Sequence, residues 1–326
     1  MVPVKVLVTG GAGFIGSNFV RHLLSHSDDR VVVYDALTYA GNRATIAELD
    51  SDPRFRFVLG DICDPAGMRA AMAGIDAVVH FAAESHVDNS ISGPDVFMTT
   101  NCSGTNIVMR CAMDAEVQRV VHIGTDEVYG SVPEGSSRES DPLAPRSPYS
   151  ASKAASDLVA LSYHSTFALP VVVTRSSNNF GPWQYPEKLI PLFVTNLLDG
   201  LPVPLYGDGM NVRDWCWVGD NCAAIDLVLR EGEVGTIYNI GAGNELPNRE
   251  LVTRLLSLVG ADPSMIELVT DRPGHDRRYS VDSGRVRALG WRPERPLDEA
   301  LAETVSWYRA NRQWWEPLKR RKAGVA

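Results

Sequence analysis

A short apolar run, Val4-Lys5-Val6-Leu7-Val8, leads directly into Thr9-Gly10-Gly11-Ala12-Gly13-Phe14-Ile15-Gly16 and then into apolar residues at helical spacing, Phe19, Val20, Leu23 and Leu24. A strand, a glycine turn and a helix in immediate succession constrain this chain more than any other feature. Gly10, Gly13 and Gly16 permit a tight turn, close approach of the backbone to a pyrophosphate, and close helix-strand packing; Phe14 and Ile15, within the turn, are expected to bind the cofactor, and the N-terminus of the following helix offers N–H groups to an anion. The next predicted strand, Arg30-Val31-Val32-Val33-Tyr34, ends in Asp35. A carboxylate at that spacing accepts from both hydroxyls of an adenosine ribose and repels a 2'-phosphate, so the expected ligand is NAD rather than NADP. Arg43 is the nearby residue that argues for a phosphate, and a merely structural glycine turn is the plain alternative.

The same rhythm continues. A strand at 55 to 59 is closed by Asp61-Ile62, and one at 76 to 80 runs into Phe81-Ala82-Ala83-Glu84-Ser85-His86, where small side chains let a cofactor lie against the strand end. A helical stretch from Pro94 to Ala112 carries Thr100 and Asn101; strands follow at Arg119 to Ile123 and Pro170 to Arg175. Repeated βα units predict an α/β fold with a doubly wound parallel sheet of the Rossmann type. Beyond Arg175 the rhythm breaks. Ser176 to Trp183 reads as a polar loop, helices are predicted near 187 to 200, 219 to 231 and 248 to 259, and Asp298 to Ala310 reads as a terminal helix. The expected organisation is a Rossmann domain over 1–175, with 207–245, including the strand Val212 to Trp217, returning to it. A smaller mixed α/β substrate-binding domain takes 176–206 and 246–326.

Charge and composition narrow the partners. A net charge of -9 argues against nucleic acid, so the basic tail Lys319-Arg320-Arg321-Lys322 reads as a solvated end. No apolar run has the length of a membrane span, and Met1-Val2-Pro3-Val4-Lys5 enters a strand without the features of a signal peptide; a cytoplasmic protein is expected. Cys63, Cys102, Cys111, Cys216 and Cys222 are odd in number and lack CxxC spacing, which predicts reduced thiols, and His80 and His122 sit in apolar strands without ligand spacing, so no metal is expected.

Two constellations carry chemistry. Thr125-Asp126-Glu127 follows an apolar strand and would stand in the ligand crevice of a parallel sheet, two carboxyls of which one can stay protonated; an acidic turn capping the next element is the alternative. Ser147 caps a predicted helix with Pro148 at its first position, so Tyr149 and Lys153 fall one turn apart on one face. An ammonium there stabilises the phenolate and is expected to lower the Tyr149 pKa, making it a base toward a hydroxyl, although such a pair also occurs on plain surfaces.

With these residues in hand, nearly the whole chain resembles the extended short-chain dehydrogenase/reductase family of nucleotide-sugar enzymes. Within it, Thr125-Asp126-Glu127 is similar to the catalytic segment of the 4,6-dehydratases, whereas 4-epimerases carry small hydroxyl residues without the acid pair. Ala82-Ala83-Glu84-Ser85-His86-Val87-Asp88, Asn178-Asn179, Glu187-Lys188-Leu189 and Arg272-Pro273-Gly274-His275-Asp276 are also similar to that branch. Ala36, Asn89 and Phe180 depart from it, standing where Lys, Arg and Tyr are common.

The resemblance implies NAD-dependent removal of water from dTDP-glucose, with Tyr149, Lys153 and Thr125 serving oxidation at C4, Glu127 as base at C5 and Asp126 as acid at C6. It also implies a cofactor flanked by Asp35, Ala36, Leu37, Thr38, Asp61, Ile62, Phe81, Ala82, Ala83, Thr100 and Asn179. Ser85 and Asn178 would touch the sugar, and Lys188, Leu189, Arg213, Asn248, Arg272 and His275 would serve the diphosphate and its surroundings. Pro204, Leu205 and Tyr206 would line the base pocket. For several of these a structural role competes: an Arg213–Asp214 ion pair, Asn248 as a helix N-cap, Tyr206 as a core residue, His86 and His275 as satisfied structural histidines. A homodimer through the helices after Pro94 and after Tyr149 is implied as well. Three readings stay open: a 4,6-dehydratase of another nucleotide sugar such as UDP-glucose, a 4-epimerase on the same scaffold, and a non-catalytic NAD-binding sensor.

Overall fold

The computed structural model describes residues 3–322, with side chains described to residue 320; expectations placed on Met1 and Val2 and on the Arg321 and Lys322 side chains lie outside the described residues. Its strands are β1 Lys5–Thr9, β2 Arg30–Asp35, β3 Phe55–Leu59, β4 Ala77–His80, β5 Arg119–Thr125, β6 Val171–Ser176, β7 Asn178–Phe180, β8 Val203–Tyr206, β9 Val212–Trp217, β10 Ile237–Ile240, β11 Glu245–Pro247 and β12 Ile266–Val269. The large sheet has the order β10-β6-β5-β4-β1-β2-β3, and its pairings are parallel. Strand period decides its layers. Val6 and Val8 of β1 enter one core with the helices Phe14–His26 and Val218–Glu231, while Leu7 enters the opposite core with Pro65–Ala71, Thr105–Asp114 and Pro148–Phe167. The sheet order reverses between β1 and β4, which opens a crevice at their carboxyl ends.

Two short sheets lie apart from this one, β11-β9-β7 and β12-β8. A third apolar core joins them to the helices Leu189–Leu198, Asn248–Val259, Leu297–Ala310 and Arg312–Lys322, around the fully buried Trp315. The sequence reading needs correction here. The stretch taken as a polar loop contains β7, and Val212–Trp217 does not return to the large sheet; it pairs with β7 and β11. Trp215 explains this, because it packs edge-on against Phe180 at 6.5 Å inside the third core. The strand that does return is β10, which adds to β6 in register Ile237↔Val173.

The predicted helix from Pro94 is a continuous rod interrupted by a π-helical stretch, Met98–Gly104. Such wide turns recur where a side chain must be aimed. Here Asn101 accepts from Glu84 N at 2.8 Å and donates to Glu84 O at 3.0 Å and Ser152 Oγ at 2.8 Å, clamping the loop after β4 to the Pro148–Phe167 helix. The basic tail is tied down in part: Lys319 Nζ donates to Asp199 at 2.7 Å and lies over Trp315.

Candidate active site

One cavity runs along the carboxyl ends of β1, β4 and β5. Gly10, Gly13, Phe14, Ile15, Gly16, Asp35, Ala36, Thr38, Asp61, Ile62, Phe81, Ala82, Ala83 and Thr100 line one end; Thr125, Asp126, Glu127, Tyr149 and Lys153 line its middle, with Ser85, Asn178, Asn179 and Lys188 beyond. The glycine end fits a dinucleotide. Gly10 has φ +71°, and a Cβ there would stand 2.6 Å from Ala82 N, so only glycine lets the turn close on β4. Gly13 precedes the helix without a side-chain cap, and its first turn carries no acid, leaving N–H groups for a pyrophosphate. Asp35 accepts from Ala12 N at 2.9 Å and Leu37 N at 2.8 Å, which ties the glycine turn to the end of β2; burial pushes its pKa up while those N–H groups pull it down. Arg43 does not face it, being paired with Asp50 over the Phe57 ring. Leu37 is corrected: its backbone has φ +51° and its side chain packs against the core, away from the cavity.

Thr125 ends β5 and caps a 3₁₀ turn, Asp126–Tyr129, by accepting from Glu127 N at 3.3 Å. The capping reading of this acidic turn thus holds, and it leaves both carboxyls in the lining of the cavity. The Thr125 hydroxyl donates to Asp126 Oδ1 at 3.2 Å, and Asp126 Oδ2 is buried without a protein partner. The two acids are in unlike surroundings. Burial pushes Asp126 well above the carboxylate range, and Glu127 and Asp214 push it further against Arg213 and Thr125. Burial also raises Glu127, but Arg272, Arg213 and Lys188 act against the rise. Asp126 is thus the group that keeps a proton, and Glu127, raised less and ringed by cations, the one of the two that ionises first.

Ser147 caps the Pro148–Phe167 helix in a reciprocal box with Ser150, so Tyr149 and Lys153 stand as predicted on one face. The expected lowering of the Tyr149 pKa does not hold. Burial pushes it well above the usual phenol and Glu127 adds to that, with Thr125 opposing through a hydrogen bond. Lys153 Nζ donates instead to Ile123 O at 2.7 Å, so its charge is spent on a carbonyl.

The remaining candidates gather round Glu127 from distant parts of the chain. Lys188 Nζ donates to Ser85 O at 2.6 Å, Arg272 Nη1 to Asp88 at 3.1 Å, and Arg213 Nη2 to Asp276 O at 2.9 Å. No Arg213–Asp214 ion pair forms among the described residues, because neighbours on β9 point to opposite faces; Arg213 lies over Tyr279 at 4.2 Å, while Asp214 accepts from Asn244 N. Asn248 is the first residue of its helix and not its cap, and its Oδ1 is buried without a partner. Tyr206 is no core residue. It is 37% exposed, donates to Asp88 at 3.4 Å and meets His275 edge-on at 6.1 Å; His275 in turn pairs with Asp271 at 2.6 Å. Pro204 shares its face, but Leu205 is corrected to core by strand alternation. Leu189 is also corrected, since its side chain packs against the third core.

His86 caps the Val87–Ser92 helix, and His80 and His122 are held by Thr9, Thr105 and Ser156. No cluster with metal-holding geometry occurs among the described residues, and the cysteines are free thiols. Sequence reasoning missed Tyr39, which lines the cavity near Ser85 and Glu187, and Asp88, which engages both Tyr206 and Arg272.

A parallel sheet with a glycine-turn crevice, a Tyr/Lys helix and an asymmetric acid pair defines a nucleotide-dependent enzyme that combines oxidation with acid-base chemistry. The family model described as GDP-mannose 4,6 dehydratase matches residues 7–304, and the chain belongs to that family. It is 52% identical to a dTDP-glucose 4,6-dehydratase of Streptomyces antibioticus, over 99% of this chain and 98% of that protein. The crystal structure of DesIV, a dTDP-glucose 4,6-dehydratase from Streptomyces venezuelae with NAD and dTDP bound, is similar with a TM-score of 0.95 at 59% identity, covering 96% of this chain and 99% of that one. A dTDP-glucose 4,6-dehydratase from Bacillus anthracis in complex with NAD matches with a TM-score of 0.90 at 46% identity, over 97% of this chain and 99% of that one. Among the described residues no helix is long and apolar enough to cross a membrane.

Proposed function

We propose that this protein is an NAD-dependent hydro-lyase that converts dTDP-glucose to dTDP-4-keto-6-deoxyglucose. The observation that carries it is the unequal acid pair in the cavity wall: Asp126 held protonated by burial and by its neighbouring carboxylates, and Glu127, also raised by burial but with three cations, Arg272, Arg213 and Lys188, opposing the rise. An epimerase needs neither group, because it breaks no C6–O bond. NAD, when bound, supplies the two-electron acceptor that takes C4 from alcohol to ketone and the donor that restores it at C6. The turn that Gly10, Gly13 and Gly16 allow would hold its pyrophosphate, and Asp35 would hold its ribose.

Tyr149 accepts the 4-hydroxyl proton as a phenolate, and so must first ionise against its burial, with Thr125 donating toward it and Lys153 on the same helix face. A ketone at C4 acidifies the C5 hydrogen, which Glu127 removes, while Asp126 donates its proton to the departing C6 hydroxyl so that it leaves as water. A proton then returns to C5. Lys188, Arg213 and Arg272 hold the diphosphate, and Tyr206 with Pro204 flanks the base. Arg272 and Lys188 each give one donor to an internal acceptor, Asp88 and Ser85 O, which orients them and leaves their other N–H groups for a phosphate.

The division of the chain follows this use: 1–175 with the Val218–Glu231 helix and β10 form the NAD side, and 176–217 with 245–320 the nucleotide-sugar side. A cytoplasmic homodimer is part of the proposal. Val96, Met98 and Leu158, each roughly half exposed, put an apolar face on the helices after Pro94 and after Tyr149.

The test is to offer the purified protein dTDP-glucose, UDP-glucose and GDP-mannose and to weigh the products. Loss of one water from dTDP-glucose with NAD retained is expected; an epimer of unchanged mass would overturn the reading. With Asp126→Asn, bound cofactor should become reduced and stay so. If it never does, Asp126 is not the acid.

A further inference from the structure

Behind the catalytic turn, Asp157 and Arg175 form an ion pair with Nε 2.8 Å from Oδ2 and both side chains almost wholly out of water. None of the roles above uses it. Such a pair is a poor source of stability, since desolvation offsets most of the attraction, and its position therefore asks for another explanation.

Asp157 lies one helical turn beyond Lys153 and two beyond Tyr149. Its Oδ1 is 3.3 Å from His122 Nε2 on β5 and rests against Gly124, where an added Cβ would come within 2.9 Å of it. Arg175, on β6, reaches from Asp157 to the far end of the catalytic turn. Its Nη1 donates to the Tyr129 hydroxyl at 2.8 Å, its guanidinium lies over the Tyr129 ring at 4.9 Å, and that hydroxyl donates onward to Asn239 Oδ1 on β10 at 2.8 Å. Tyr129 closes the turn that Asp126 opens. Asp157, Arg175 and Tyr129 thus join the helix bearing Tyr149 and Lys153 to the turn bearing the two acids, and none of the three lines the cavity.

We propose that Asp157 is a positioning residue for both halves of the reaction: it keeps Lys153 cationic and, through Arg175 and Tyr129, sets where Asp126 and Glu127 stand. The proposal rests on the dehydratase reading. Burial works against the Lys153 charge, and Asp157 is the main group that opposes it, with Cys102 adding a little from the π-helical stretch. His122 on β5 and His80 on β4 also face Lys153, and burial keeps both largely neutral. Burial alone would protonate Asp157, but His122, Arg175 and Lys153 outweigh it and hold the carboxylate ionised.

Tyr129→Phe deletes one hydroxyl and no charge. When that holoenzyme is mixed rapidly with dTDP-glucose, reduced cofactor should build up, with kcat down about ten-fold and KM within about two-fold, because a misplaced acid is felt in the chemical step and not in binding. In Asp157→Asn, the alkaline limb of the cofactor-reduction rate should move to lower pH by about one unit as Lys153 loses its counter-charge. A merely structural pair would lower thermal stability and move neither readout. Should Asp157→Asn fail to fold, Tyr129→Phe decides alone. Wild-type partitioning in Tyr129→Phe, or an unmoved limb in folded Asp157→Asn, overturns the proposal. Failure of the wild type to release water would overturn the dehydratase reading instead.

Discussion

At the cofactor end of the cleft the binding groups are backbone atoms: the glycine turn, the uncapped N-terminus of the Phe14–His26 helix, and the small residues Ala82 and Ala83. At the chemical and nucleotide end they are side chains, and nearly all carry a perturbed charge or hold an internal partner. A dinucleotide is the same in every turnover, so a fixed backbone cradle serves it. A sugar that changes oxidation state needs groups whose protons move, and the protein sets their pKa values by burial and by cations around Glu127. One end depends on shape and the other on charge.

Substitutions can break or sharpen that contrast. The largest effect belongs to the chemical end: Tyr149→Phe should lower turnover by about 10³-fold or more by removing the base for C4 oxidation, with no reduced cofactor seen after mixing with substrate. Normal cofactor reduction would remove Tyr149 from that role. At the cofactor end, Gly10→Ala adds a Cβ against Ala82 at positive φ, and the strain should weaken NAD binding by about 100-fold, read by titration, with dTDP binding little changed.

Arg272→Gln should raise KM about ten-fold for loss of a charged hydrogen bond to phosphate. Since Arg272 is the main group opposing the rise in the Glu127 pKa, the acidic limb of the rate profile should also move to higher pH. A pure KM effect would confine Arg272 to binding.

The smallest effect is on stability. The folded pKa of Asp126 is raised above its unfolded value, so the native state binds the extra proton, and stability falls as pH rises from about 4 toward the folded pKa. Asp126→Asn should therefore melt about 2 °C higher than wild type at neutral pH, with the difference vanishing below about pH 4. A lower melting temperature in the Asn variant would show that burial does not destabilise this carboxylate.

The glycine turn, the alternating strands and the Ser147-Pro148 cap were legible in the chain because each is a local pattern, set by steric permission and by the two- and 3.6-residue periods. For the same reason Tyr149 and Lys153 could be placed on one face before any tertiary contact was known. What only the tertiary structure decided is long-range. It put β9 beside β7 instead of in the large sheet, turned Leu205 and Leu189 into the core, and raised Tyr149 where a neighbouring lysine alone predicted the opposite. It also brought Lys188, Arg213 and Arg272 to one carboxylate across more than eighty residues of chain. Burial and charge are sums over neighbours in space, and neighbours in space are what a linear sequence leaves unstated.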